Sequence, residues 1–166
     1  MSQIENKVEE PQAPKIDQEL VDKATKELEA FVEETKNKVY PIKVEDQDNL
    51  EEIIFFIEND APWKNMEAIG IMEVSKSLRA ERLNGIKSGN IFLPSLAIQA
   101  LSFFLAKVEK KGIDNAEKHI KMVRPVDDAL KLIKADNDKL NRLQSELAAA
   151  ENGIEIEKTD KTEDSK

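Results

Sequence analysis

His119 is the only histidine in the chain, which makes it the first residue to question for chemistry. Imidazole serves as a general base or a metal ligand, but each role needs company: a nucleophile and an orienting group, or further ligands. The surrounding NAEKHIKMV supplies Lys118, Lys121 and one carboxylate, Glu117, two residues away. Helical di-iron sites use Glu-x-x-His, in which both side chains share a face. A two-residue step puts Glu117 and His119 on different sides of a helix. His119 therefore reads as a surface or boundary histidine.

Other chemistries fail on spacing. DQDNLE (residues 46–51) and DNDKLN (136–141) begin like calcium loops. Both lack Gly at the sixth position, and the twelfth is Ile57 or Leu147 where a bidentate Glu is required. Gly85 and Gly89 stand close together, without a phosphate-loop or dinucleotide pattern around them. The paired acids Glu51/Glu52 and Asp127/Asp128 fall in expected first helical turns, where negative charge offsets exposed amides. Cysteine is absent, which excludes a disulfide framework and a thiolate zinc site. The chain reads as a non-enzyme without metal or cofactor.

What remains is surface chemistry. Residues 1–62 carry 7 Lys/Arg against 17 Asp/Glu, residues 63–125 carry 11 against 6, and residues 126–166 carry 7 against 11. A basic middle thus lies between acidic flanks in a chain of net charge −9. Its candidate surface is Lys64, Lys76, Arg79, Arg82 and Lys87. Either the acidic flanks neutralise it internally, or it faces an acidic partner or phosphates. No aromatic stacking platform accompanies these cations, so nucleic acid ranks below protein as a partner. Trp63, the single tryptophan, is either a plug in the core or an exposed interface anchor.

The elements that must position these residues read as helices. Ala, Leu, Ile, Glu and Lys abound and glycine is scarce, which favours an all-α fold. The expectation is a compact bundle of five to six helices over residues 16–135, with a helical extension over 136–152. Acidic, disordered segments are expected at 1–15 and 153–166. A first helix over 17–40 follows from the stripe Ile16, Leu20, Ala24, Leu28, Phe31, Val32, Thr35 and Val39, with Pro41 ending it. A second helix starts at an Asp48/Glu51 capping box and carries Leu50 and the apolar run 53–57. A third, over 65–83, turns Met66, Ile69, Met72 (or Ile71), Val74, Leu78 and Leu83 inward.

Residues 88–106 hold no formal charge. The helical part, from Pro94 to Ala106, is too short for the ~20 apolar residues of a membrane span. A helix apolar almost all round is a buried one, so this is the expected central helix. Its small seam of Ser95, Gln99, Ser102 and Ala106 would admit a close neighbour. A fifth helix starts with a capping box at Asp114/Glu117 and stops or kinks at Pro125. The last, over 126–151, narrows its apolar face after residues 135–138 to Leu140, Leu143 and Leu147. A narrow seam pairs with a single helix. It either extends as a short coiled coil to another copy or folds back on the first helix.

The functional expectation is a non-catalytic interaction or assembly protein, a scaffold or accessory factor self-associating through Leu140, Leu143 and Leu147. It would belong to a larger complex of the kind viral and phage machines contain. The alternative is a regulator of nucleic-acid machinery, using the basic central face and the acidic arms. Expected partners are proteins, as a homo-oligomer or larger assembly, and no membrane. The acidic opening MSQIENKVEE lacks the apolar core of a signal peptide, so the expected location is cytoplasmic.

Overall fold

Residues 39–44 run Val-Tyr-Pro-Ile-Lys-Val, and their burial alternates: Tyr40, Ile42 and Val44 point in, while Val39, Pro41 and Lys43 point out. A period of two is that of a strand. A computed structural model, which describes residues 16–108 and 113–153 (backbone alone for 113–115), accordingly ends the first helix early. The elements are α1 (Gln18–Thr35), β1 (Val39–Lys43), α2 (Gln47–Phe55), α3 (Ala68–Asn84), β2 (Asn90–Pro94), α4 (Ser95–Ala106) and α5 (Ile113–Glu151). A π-helical turn at Phe56–Asp60 and a 3-10 turn at Asn65–Glu67 join α2 to α3. The fold is all-α with one small sheet. The expected acidic arm, the acidic tail, and the Asp114 side of the capping box lie outside the described residues.

The chain forms two compact units. One is Glu33–Lys139. The other combines, among the described residues, 16–32 with 140–153. Most of α1 therefore groups with the end of α5. Of the two arrangements open to the Leu140–Leu147 seam, this grouping is that of a chain folded back on its first helix. Leu143 is 5% exposed, and Leu140 and Leu147 are half-buried.

The core of the larger unit begins at the sheet. β1 and β2 pair antiparallel, with Tyr40 opposite Leu93, Pro41 opposite Phe92 and Ile42 opposite Ile91. Pro94, expected in the first turn of a helix, instead ends a strand: residues 90–94 alternate as β1 does and bury Ile91 and Leu93 completely. Proline within β1 is tolerated because a two-stranded sheet has only edge strands. The N–H of Phe92, opposite Pro41, donates instead to Glu81 Oε2 at 2.7 Å. Lys87 and Asn90 exchange both backbone hydrogen bonds across a tight turn. Its central residues, Ser88 and Gly89, have φ of 53° and 73°, the left-handed pair of a type I′ hairpin turn.

Helix α2 is capped two residues earlier than expected. Asp46, not Asp48, accepts the Asn49 N–H at 2.9 Å. Five consecutive apolar residues cannot all face one way at 100° per residue. Ile53, Ile54, Phe56 and Ile57 are buried and Phe55 is exposed. The same geometry corrects the expectation for α4. Ala97, Ile98, Leu101, Phe104 and Leu105 are buried on one arc, while Leu96, Gln99, Phe103 and Ala106 face out. The close neighbour enters on the buried side and not along the expected small seam. Gly70 of α3 lies where an added Cβ would be 3.8 Å from the Phe104 ring and 3.9 Å from the Ala100 Cβ.

Two expected breaks are absent from α5. Pro125 sits inside a continuous helix. An internal proline costs about 3 kcal/mol through its lost N–H and its ring clash. Here the next residues, Val126, Ala129 and Ile133, are buried in the core, which offsets that cost. Residues 135–138 do not mark a departure either. Asp136 turns inward and accepts the Tyr40 hydroxyl at 2.7 Å and Lys38 Nζ at 2.7 Å. Burial works to raise the Asp136 carboxyl, but the hydrogen bonds from Lys38 and Tyr40 prevail and hold it below the usual range. Burial and the same bond push Tyr40 up to about 12.

Candidate interaction surfaces

The charge asymmetry of the chain resolves into named pairs. Arg79 Nε donates to Glu58 Oε1 at 2.6 Å, and Ser75 Oγ donates to the same oxygen at 3.0 Å. The hydrogen bond from Arg79 holds the Glu58 carboxyl below its ordinary value against the opposing effect of burial. Arg82 Nε lies 2.8 Å from Glu51 Oε1, Lys121 Nζ 3.7 Å from Glu45 Oε2, and Lys118 Nζ 4.0 Å from Glu52 Oε1. Each pair joins a cation of the basic middle to an acid of the first sixty residues. Helix α3 supplies the arginines on the side that meets α2 and its π turn. Exposed pairs of this kind contribute little stability. What they change is the field, because Arg79 and Arg82 no longer present a free positive charge.

The five expected basic residues thus divide. Arg79 and Arg82 are engaged, while Lys64, Lys76 and Lys87 are exposed and form no ion pair with a described residue. Trp63 is 54% exposed in the loop before α3, so it is not a core plug. Seam residues Leu140, Leu143 and Leu147 lie in the smaller unit, where Leu143 is already covered, leaving little apolar area for a second copy.

A groove of about 550 Å³ runs between α2 and α5, lined by Phe55, Glu51, Glu52, Arg82, His119 and Met122 among others. It brings His119 beside carboxylates that lie some sixty positions away in sequence. Nδ1 of His119 is buried without a hydrogen-bond partner among the described residues. Glu51 and Glu52 are each held by a cation, as given above. Among the described residues no group of three His, Asp or Glu is placed to hold a metal ion, and no helix is long and apolar enough to cross a membrane.

The surface that sequence reasoning missed is the outer side of α3. Four residues expected to face the core point to solvent: Met66 is 92% exposed, Ile69 75%, Met72 69% and Leu83 89%. The inner side is taken by Gly70, Val74 and Leu78, with Ile71 half-buried. At 100° per residue, Ile69 and Met72 lie on the opposite face of α3, and Met66 stands in the 3-10 turn just ahead of it. The clue was in the sequence: apolar residues at 66, 69, 71, 72, 74, 78 and 83 are too many and too spread for one face. Phe103 of α4 is exposed as well. Lys107 Nζ lies 4.2 Å from the centre of its ring and also binds the Glu67 carboxylate at the start of α3.

Comparison with protein-family models, with curated proteins and with solved structures finds no match for this chain.

Proposed function

We propose that this chain is a non-catalytic interaction protein that docks on a protein partner through the outer face of α3. The observation that carries the reading is the run Met66, Ile69 and Met72, all more than two-thirds exposed, the first in the 3-10 turn that leads into α3 and the other two on the helix itself. Exposed apolar area gathered in one place marks a docking surface, whereas isolated exposed residues do not. Methionine suits such a face because its unbranched chain adapts to varied partners. Trp63, exposed just ahead of the run, adds a side chain of the type that anchors interfaces. The earlier idea of assembly through Leu140, Leu143 and Leu147 has less behind it, since Leu143 is covered within the single chain. The nucleic-acid reading likewise weakens, because Arg79 and Arg82 are engaged by Glu58 and Glu51.

A photo-crosslinking amino acid at position 69 or 72, activated in cells of the source organism, tests this. Discrete protein adducts are expected from those positions and not from a control at exposed Glu34 on α1. Equal yields at all three positions, or no adduct at any, would remove the reading.

A further inference from the structure

The outer face of α3 carries a pattern that narrows the choice of partner. Positions 66, 69, 73, 76, 80 and 83 are spaced alternately three and four apart, which places them on one stripe in the manner of a coiled-coil seam. Their residues are Met66, Ile69, Glu73, Lys76, Ala80 and Leu83. All six are exposed. The buried residues of α3, Val74 and Leu78, fall outside the stripe, so its members from Ile69 to Leu83 stand on the solvent side of a helix that its own core already holds in shape, with Met66 in the 3-10 turn just ahead.

The stripe is complementary to itself when reversed. Set against an antiparallel copy, Met66 meets Leu83, Ile69 meets Ala80, and Glu73 meets Lys76. The two-fold axis passes between residues 74 and 75 and repeats every contact. Large residues lie opposite large at the ends, a large one opposite a small one next, and opposite charges at the centre. Glu73 and Lys76 form no ion pair with any described residue of their own chain, so both are available. A same-direction pairing would instead set Glu73 against Glu73 and Lys76 against Lys76, which is repulsive.

We infer that the partner for this face is a second copy of the chain, with two α3 helices packed antiparallel about a two-fold axis. The inference rests on the reading of this face as a docking surface and adds the identity of the occupant. A two-fold interface uses the same patch on both subunits, and a self-complementary stripe is what such an interface requires. From Ile69 to Leu83 the stripe runs about 21 Å along the helix, at 1.5 Å per residue. One pair of helices buries less area than a standard stable interface, so the dimer exchanges with monomer as concentration changes.

Sedimentation over a dilution series is the first measurement. The mass is expected to climb from the 18.8 kDa of one chain toward twice that value. Glu73→Lys and Lys76→Glu each set like charges together twice about the axis, and each is expected to weaken dimerisation about tenfold or more, since every 1.4 kcal/mol is a factor of ten. The combined variant exchanges the two charges and is expected to restore association. Both positions are exposed, so the thermal midpoint reports whether any variant has failed to fold. The absence of cysteine permits a second check of direction. Chains carrying Ile69→Cys and Ala80→Cys, mixed and oxidised, are expected to form the mixed disulfide in preference to either symmetric one.

A wild-type chain that stays monomeric at every concentration overturns the inference. So do charge variants that weaken association without rescue by the exchange, or disulfides that favour 69 to 69. Failure here is distinguishable from failure of the functional reading. Crosslinks from position 69 to a protein of another mass would leave the docking surface standing and give it a different occupant.

Discussion

Helices α3 and α4 lie against each other at Gly70, Ala100 and Phe104, and both are rich in large apolar side chains. They use them in opposite ways. On α4 the arc from Ala97 to Leu105 enters a core shared with the sheet, α2 and α5, and its largest member, Phe104, is 1% exposed. On α3 only Val74 and Leu78 are fully covered, and the larger share of its apolar side chains faces water. The apolar effect stabilises the fold in the first case and remains to be satisfied in the second. An apolar sequence therefore says that contact is wanted, and not whether the contact is made within the chain.

Truncation should separate the two faces most sharply. Phe104→Ala is expected to cost about 3–5 kcal/mol, from lost transfer energy and the cavity left behind. Ile69→Ala, on the outer face of α3, should change the monomer by no more than about 0.5 kcal/mol. Chemical denaturation at low protein concentration checks both. Similar losses would mean that the outer face is covered after all.

Next in size is the polar contact at the edge of the same core. Asp136→Asn removes a charged acceptor from Tyr40 and Lys38 and should cost about 1.5–3 kcal/mol at neutral pH. The Asp136 carboxyl lies below the usual value of 3.8, so its contribution is complete above that value and is lost as pH falls through the lower folded one. Tyr40 works in the other direction. Its hydroxyl is raised from 10.0 to about 12, so stability is complete below 10.0 and declines as pH rises through about 12. Tyr40 is the only tyrosine, so phenolate absorbance reports it alone. A midpoint near 10 in the native protein would show that the contact with Asp136 is not made.

The smallest expected effect is a gain. A methyl group at Gly70 would rest in ordinary contact with Phe104 and Ala100, and alanine is the better helix former by about 0.8–1 kcal/mol. Gly70→Ala should therefore stabilise the protein by up to that amount in a denaturation midpoint. A clear loss would show that α3 and α4 approach more closely than the glycine gap allows.

The helical character of the chain was legible because it rests on composition and on periods that span only a few residues. The Asp48/Glu51 capping signal and the run at 53–57 gave α2 away, although the cap was placed two residues late. The strand pair was legible too, in the alternation of Tyr40, Ile42 and Val44, but the longer stripe of α1 hid it. Pro125 misled because its local preference is to stop a helix, and burial of Val126 and Ala129 in the core overrode it. The docking face was misread for a similar reason. Periodicity finds apolar stripes and does not tell the covered one from the open one.

By itself the sequence determined that this protein would be helical, free of thiol chemistry, and divided into acidic and basic stretches with reason to pair. Those are properties of residue types and near neighbours. Only the tertiary structure decided that Glu51 and Glu58 would hold the two arginines, that Asp136 would receive Tyr40, and that Met66, Ile69 and Met72 would be left facing water. Each of these depends on which distant segment occupies a given side of a helix, and that is settled by how side-chain volumes fit together across the core, as where α3 and α4 meet at Gly70, Ala100 and Phe104.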